Sequence, residues 1–159
     1  MNDIVPAHWR HVINATIGAT ALFAAGLVLF PTTMQLLFLP MFHGVSEPPP
    51  GFSADAMHYV HFAFAMTGCV MLAWLLALAV VVNGPFRRGE VWAYKLVAGS
   101  IGLWFVTDNV CSLAMGFTAN VAFNTMAVLP AAVALAMSYR CFFPAVQAVP
   151  APVQARDAA

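Results

Sequence analysis

The sequence predicts an all-α integral membrane protein, a bundle of four transmembrane helices with both termini in the cytoplasm. Three observations carry that fold class. Of 159 residues, 62% are hydrophobic and 8% charged, whereas soluble domains hold about 45–50% and about 25%. Four segments, residues 11–30, 56–82, 92–114 and 119–140, reach the roughly 20 predominantly apolar residues that a helix rising about 1.5 Å per residue needs to cross a bilayer. Finally, Arg10, Arg87, Arg88, Lys95, Arg140 and Arg156 all fall on one side of this four-span arrangement. Lys and Arg near span ends are retained on the cytoplasmic side, so a bacterial-type inner membrane with both termini inside is the expected setting.

The elements follow in order. The first apolar stretch is too long for the 7–15-residue core of a cleaved signal peptide, so it is expected to stay as a helix. Pro31 and the run Glu47-Pro48-Pro49-Pro50-Gly51 separate it from the second span. Within that connection, residues 34–43 are too apolar for a free loop. They are expected either to extend the first helix with a kink or to lie along the outer surface as a lid. Asn83-Gly84-Pro85 ends the second span, and a tight turn at residues 116–118 joins the third to the fourth. Residues 1–143 make up the membrane domain. The Ala-, Pro-, Val- and Gln-rich residues 144–159 cannot build a core and are expected to form a disordered cytoplasmic tail.

Lys+Arg equals Asp+Glu at 6 each, which removes the electrostatic footprint of nucleic-acid binding. Cys69, Cys111 and Cys141 sit singly in apolar stretches, without the CxxC or CxxCH spacing of a disulfide framework or covalent haem attachment. There is no phosphate-binding loop, no HExxH and no nucleophile elbow. The Glu and Glu-x-x-His pairs of a di-iron bundle are also missing.

Polar residues within the spans are the informative ones, because a charge in the bilayer needs a partner or a purpose. Asp108 lies six residues before the outer end of the third span, roughly 9 Å deep. His61 is about 8 Å deep in the second, and Asn124 falls at a similar level in the fourth, with Asn109, Ser112 and Asn120 close by. His58 and His61 share a helix face at i, i+3, as do Asp108 and Ser112 at i, i+4, so each helix is able to offer two groups to one centre. Asp108 suits the role of carboxylate partner to a metal-bound His61, and His43 that of a closing group. The same residues also suit a plainer reading, with His58 among headgroups and Asp108 as hydrogen-bonded glue between helices. His8, Trp9, Arg10 and His11 read as an interfacial belt. No ionisable chain continues toward the cytoplasmic half, which disfavours a proton relay.

The stretches His61-Phe62-Ala63-Phe64-Ala65-Met66-Thr67-Gly68, Gly99-Ser100-Ile101 and Asp108-Asn109-Val110, with the loop His43-Gly44-Val45-Ser46-Glu47-Pro48, resemble the styrene oxide isomerases. Those are small four-helix bacterial membrane proteins holding a b-type haem through a histidine early in the second helix. The resemblance implies His61 as axial ligand of haem b and Asn109 as a pocket residue. The family's pocket asparagine falls here at Thr67, and its pocket tyrosine and aspartate at Leu113 and Phe105. By this resemblance the protein is an isomerase that opens a hydrophobic epoxide to an aldehyde. Asp108 and Asn109 would be the catalytic pair, and His61, His58, Asn124 and Thr67 would hold the haem or another transition metal. The alternative is a non-catalytic accessory subunit of a larger membrane complex, or a lipid- or isoprenoid-binding protein. Small residues such as Gly18, Ala21, Gly99 and Gly102 favour close helix packing and self-association.

Overall fold

The computed structural model describes residues 3–43 and 52–144. The expected tail beyond Pro144, Arg156, the 44–51 part of the long connection and the His43 side chain lie outside these residues. The described chain forms five helices: α1 (Ala7–Leu29), α2 (Pro31–His43), α3 (Ala54–Val81), α4 (Val91–Ala114) and α5 (Thr118–Phe142). Four of them, α1, α3 with its extension to Phe86, α4 and α5, are long and apolar enough to cross a membrane. The spans therefore match the expectation, but each helix outruns its apolar stretch at one or both ends. At α1, polar residues His8 to Arg10 continue the helical backbone beyond the apolar core from a start behind Pro6.

The fifth helix departs from a kinked extension of the first. Phe30 leaves the helical region (φ −134°, ψ 52°) and the chain turns back. Phe38 reaches Phe23 at a ring-centroid distance of 6.0 Å, whereas a continuous helix would separate residues fifteen apart by about 22 Å. α2 packs against α1, α3 and α5 and buries Leu39. Phe38 also meets Phe64 of α3, and Phe42 meets Phe117 at the start of α5, so α2 braces three helices at one end of the bundle.

The spans are arranged in the order α3, α1, α5, α4. α1 packs mainly on α3 and then on α5, α4 packs mainly on α5, and α3 touches α4 only sparsely. At the α1–α3 crossing, Gly68 lies so close to α1 that a Cβ there would stand 2.6 Å from the Ala24 carbonyl oxygen. Where α3 and α4 do meet, Trp74 faces Trp104 at 6.2 Å.

The basic residues among those described gather at one end, as their spacing predicts. α3 does not stop at Asn83. It continues as one wide π turn, Val82–Phe86, because Pro85 lacks an N–H for the usual i→i−4 bond and its ring crowds the preceding turn. Asn83 donates to Ala79 O and exchanges two amide bonds with Asn14 of α1, at 2.9 and 3.1 Å. Gly89, at φ +74°, then turns the chain into α4 with Ile4 packed on it. Ile4 and Val5 both donate to Arg87 O, and Asp3 bridges Arg10 (2.6 Å) and Arg87 (3.2 Å). Phe86, Tyr94 and Phe142 pack together beside these charges, joining the π turn, α4 and α5.

Glu90, just before α4, accepts from the Trp92 indole (2.7 Å) and from Arg88 (2.6 Å). These two bonds hold its carboxyl below the ordinary glutamate range, the Trp92 bond contributing most. A depressed folded-state value stabilises the fold above the unfolded glutamate pKa, and that contribution disappears as pH falls through the folded value. In an NMR titration of the Glu90 carboxyl, Trp92→Phe is expected to raise the midpoint more than Arg88→Gln does; the reverse order would reject this assignment of causes.

At the opposite end, α4 closes on Gly116 at φ +82°. The Phe117 N–H bonds Ser112 O at 2.8 Å and the Gly116 N–H bonds Leu113 O at 3.1 Å. This is the paired bonding of a glycine-terminated helix, and it launches α5 antiparallel to α4. Asn120 and Asn124 are thereby brought back beside Ser112, Asp108 and Asn109.

Candidate functional site

The polar residues near the level of His61 and Asp108 divide between two seams. In the α4–α5 seam, Asn120 Nδ2 donates to Asp108 Oδ1 (3.0 Å) and to Ser112 Oγ (2.8 Å), and the Ser112 hydroxyl donates to the same Asp108 oxygen (3.2 Å). The three side chains form a closed ring of bonds. One turn deeper, Asn124 Nδ2 donates to Asn109 Oδ1 at 3.1 Å, with both residues buried. The i, i+4 spacing of Asp108 with Ser112 and of Asn120 with Asn124 puts these groups on facing stripes of two antiparallel helices, which is why they meet.

His61 belongs to the other seam. Its Nε2 lies 2.5 Å from Gln35 Oε1 of α2. As the Gln35 amide is oriented, its oxygen accepts from the imidazole N–H. Phe64 and Gly68 flank the same face of α3, the first against Phe38 of α2 and the second against Ala24 of α1. At about 100° of rotation per residue, His61 stands about 140° around α3 from Trp74, the residue that meets α4. The expected pairing of His61 with Asp108 is therefore not formed. The two groups share a depth and face different neighbours.

The remaining candidates are equally dispersed. His58 is exposed one turn above His61. Thr67 lies about 120° around α3 from His61, is exposed, and bonds Ala63 O of its own helix at 2.8 Å. Asn124, expected to share a haem pocket with His61 and Thr67, is committed to Asn109. Among the described residues, no three His, Cys, Asp or Glu side chains gather to hold a metal ion.

In this arrangement His61 Nε2 faces the Gln35 amide. Gln35 is the residue that sequence reasoning missed. Its signal is a lone amide in the apolar run from Met34 to Phe42. No protein family matches the chain, and no curated protein or solved structure does either.

Proposed function

We propose that this chain is a non-catalytic, four-span protein of a bacterial-type inner membrane, with both termini cytoplasmic, acting as a lipid-embedded accessory subunit. One observation carries the reading. The outer-level polar side chains, exposed His58 and self-bonded Thr67 apart, are bonded across two separate helix seams, Gln35–His61 and Asp108–Ser112–Asn120 with Asn109–Asn124. Polar groups so used lock helices together where lipid offers no competing hydrogen bonds. The clustering of Arg10, Arg87, Arg88, Lys95 and Arg140 at one end supports the inward orientation of that end. An edge helix such as α4, packed mainly on α5, supplies the face on which a larger complex would seat.

The detergent-solubilised protein is expected to show no Soret band and less than one metal ion per chain. Replacing His58 and His61 together by Ala is expected to leave its association with co-purifying membrane partners unchanged. A Soret band or a stoichiometric metal that disappears in His61→Ala overturns this reading in favour of a haem or metal site.

A further inference from the structure

Five basic residues are described at one end of the bundle, and the described acids neutralise them unevenly. Asp3 bridges Arg10 and Arg87, and Glu90 holds Arg88. Lys95 of α4 and Arg140 of α5 are exposed and have no acidic partner among the described residues.

Their sequence neighbours fix where they stand. Tyr94 donates its hydroxyl to Leu135 O and sets its ring edge-on to Tyr139 at 5.8 Å, so both tyrosines face the α4–α5 seam. Each cation is the next residue along, about 100° further around its own helix. α4 and α5 run antiparallel, so a step forward on either turns toward the same flank of the seam. Lys95 and Arg140 therefore come out on one side of it. Helix axes pack roughly 8–10 Å apart, a gap that two such long side chains span together. Phe143 stacks on Tyr139 at 4.6 Å and Tyr139 is half exposed, which adds an aromatic shelf of the kind that settles at headgroup level.

We infer that this flank of the α4–α5 seam is a binding site for the phosphate headgroup of an anionic phospholipid, clamped by Lys95 and Arg140 with its acyl chains lying along the two helices. The charge pattern selects this flank. An anion near α1 and the α3–α4 connection meets Asp3 and Glu90, whereas one beside Lys95 and Arg140 meets two cations with no acidic partner among the described residues. The inference rests on the reading of the chain as membrane-spanning.

The test is native mass spectrometry of the full chain from nanodiscs containing phosphatidylglycerol or phosphatidylcholine, supported by a titration with phosphatidylglycerol in detergent. The wild-type protein is expected to retain phosphatidylglycerol selectively. Each charge near the surface contributes on the order of a fivefold preference, so the double variant Lys95→Gln/Arg140→Gln should weaken retention at least tenfold. Arg88→Gln, which removes a cation already held by Glu90, should change it less than twofold. Thermal unfolding of the double variant should match wild type, since both residues are exposed. Equal loss in the double variant and Arg88→Gln overturns the site. So does displacement of phosphatidylglycerol by millimolar inorganic phosphate, which would make the ligand a free anion. Alkaline extraction separates the two levels of the argument: protein that stays in the membrane yet shows no lipid preference refutes this site alone, whereas extracted protein refutes the membrane reading beneath it.

Discussion

Replacing Gly68 with isoleucine is expected to remove most of the folded population in detergent, the largest effect of any single substitution outside the charged end. A Cβ at this position meets the Ala24 carbonyl oxygen at 2.6 Å, Val28 Cγ2 at 2.7 Å and Leu27 Cβ at 3.1 Å. The first of these is backbone, so no rotamer change relieves it and α1 must move away from α3. That crossing is the most extensive helix contact in the bundle, and in lipid helices associate through close packing because no hydrophobic driving force holds them together. Overpacking a well-filled site costs about 1–3 kcal/mol; here the clash with backbone places Gly68→Ala near the lower end and Gly68→Ile beyond the upper. The controls are Gly18→Ala and Gly99→Ala, where a Cβ meets nothing within 4 Å, and which should leave stability unchanged within about 0.5 kcal/mol. Thermal or denaturant unfolding followed by circular dichroism reads all four. Wild-type stability in Gly68→Ile would mean that α1 and α3 do not cross at this distance.

The same glycine shows what the sequence makes legible and what it hides. Span number and position depend only on length and apolar content, which is why residues 92–114 were placed within one residue of α4. Depth was legible too, because the rise per residue is constant; Asp108 and Asn124 do lie close in level, and they face each other's helices. Azimuth was not. A helix apolar on every side gives no stripe to say which face meets which neighbour, so matching depths suggested one centre for His61 and Asp108 where there are two seams. A local cue was present: His61 and Gly68 are seven residues apart and so share a face, and a glycine within an apolar span lets another helix approach closely. Following that cue would have turned His61 toward α1 and α2, and toward Gln35.

α2 was legible in substance and not in direction. Its apolar run excluded a free loop, but the reversal at Phe30 depends on tertiary contacts, Met34 against Gly26 and Phe38 against Phe23 and Phe64, which no local signal specifies. Pro40 within α2 is tolerated as a short helix bears one lost backbone bond more easily than a span does.

Asp108 separates a structural acid from a functional one. In the ring of bonds with Ser112 and Asn120, the carboxyl acts as an acceptor through Oδ1. Asn offers an acceptor oxygen of the same shape, so Asp108→Asn should keep both bonds and unfold within about 0.5 kcal/mol of wild type. Asp108→Leu removes the acceptor, leaving Asn120 and Ser112 to bond only each other, at a cost of about 1–2 kcal/mol given what interhelical polar contacts contribute in membranes. Asn120→Leu breaks the shared Asn120–Asp108 bond from the other side, so the Asp108→Leu/Asn120→Leu pair should cost less than the sum of the single changes. Asn124→Leu strands the buried Asn109 amide one turn deeper and should behave like Asp108→Leu. If Asp108 instead served as a charge, a proton carrier or a ligand-binding acid, Asp108→Asn would be as damaging as Asp108→Leu in any assay of the intact complex while leaving unfolding untouched. The acceptor role therefore stands or falls on whether these two substitutions diverge in stability and agree nowhere else.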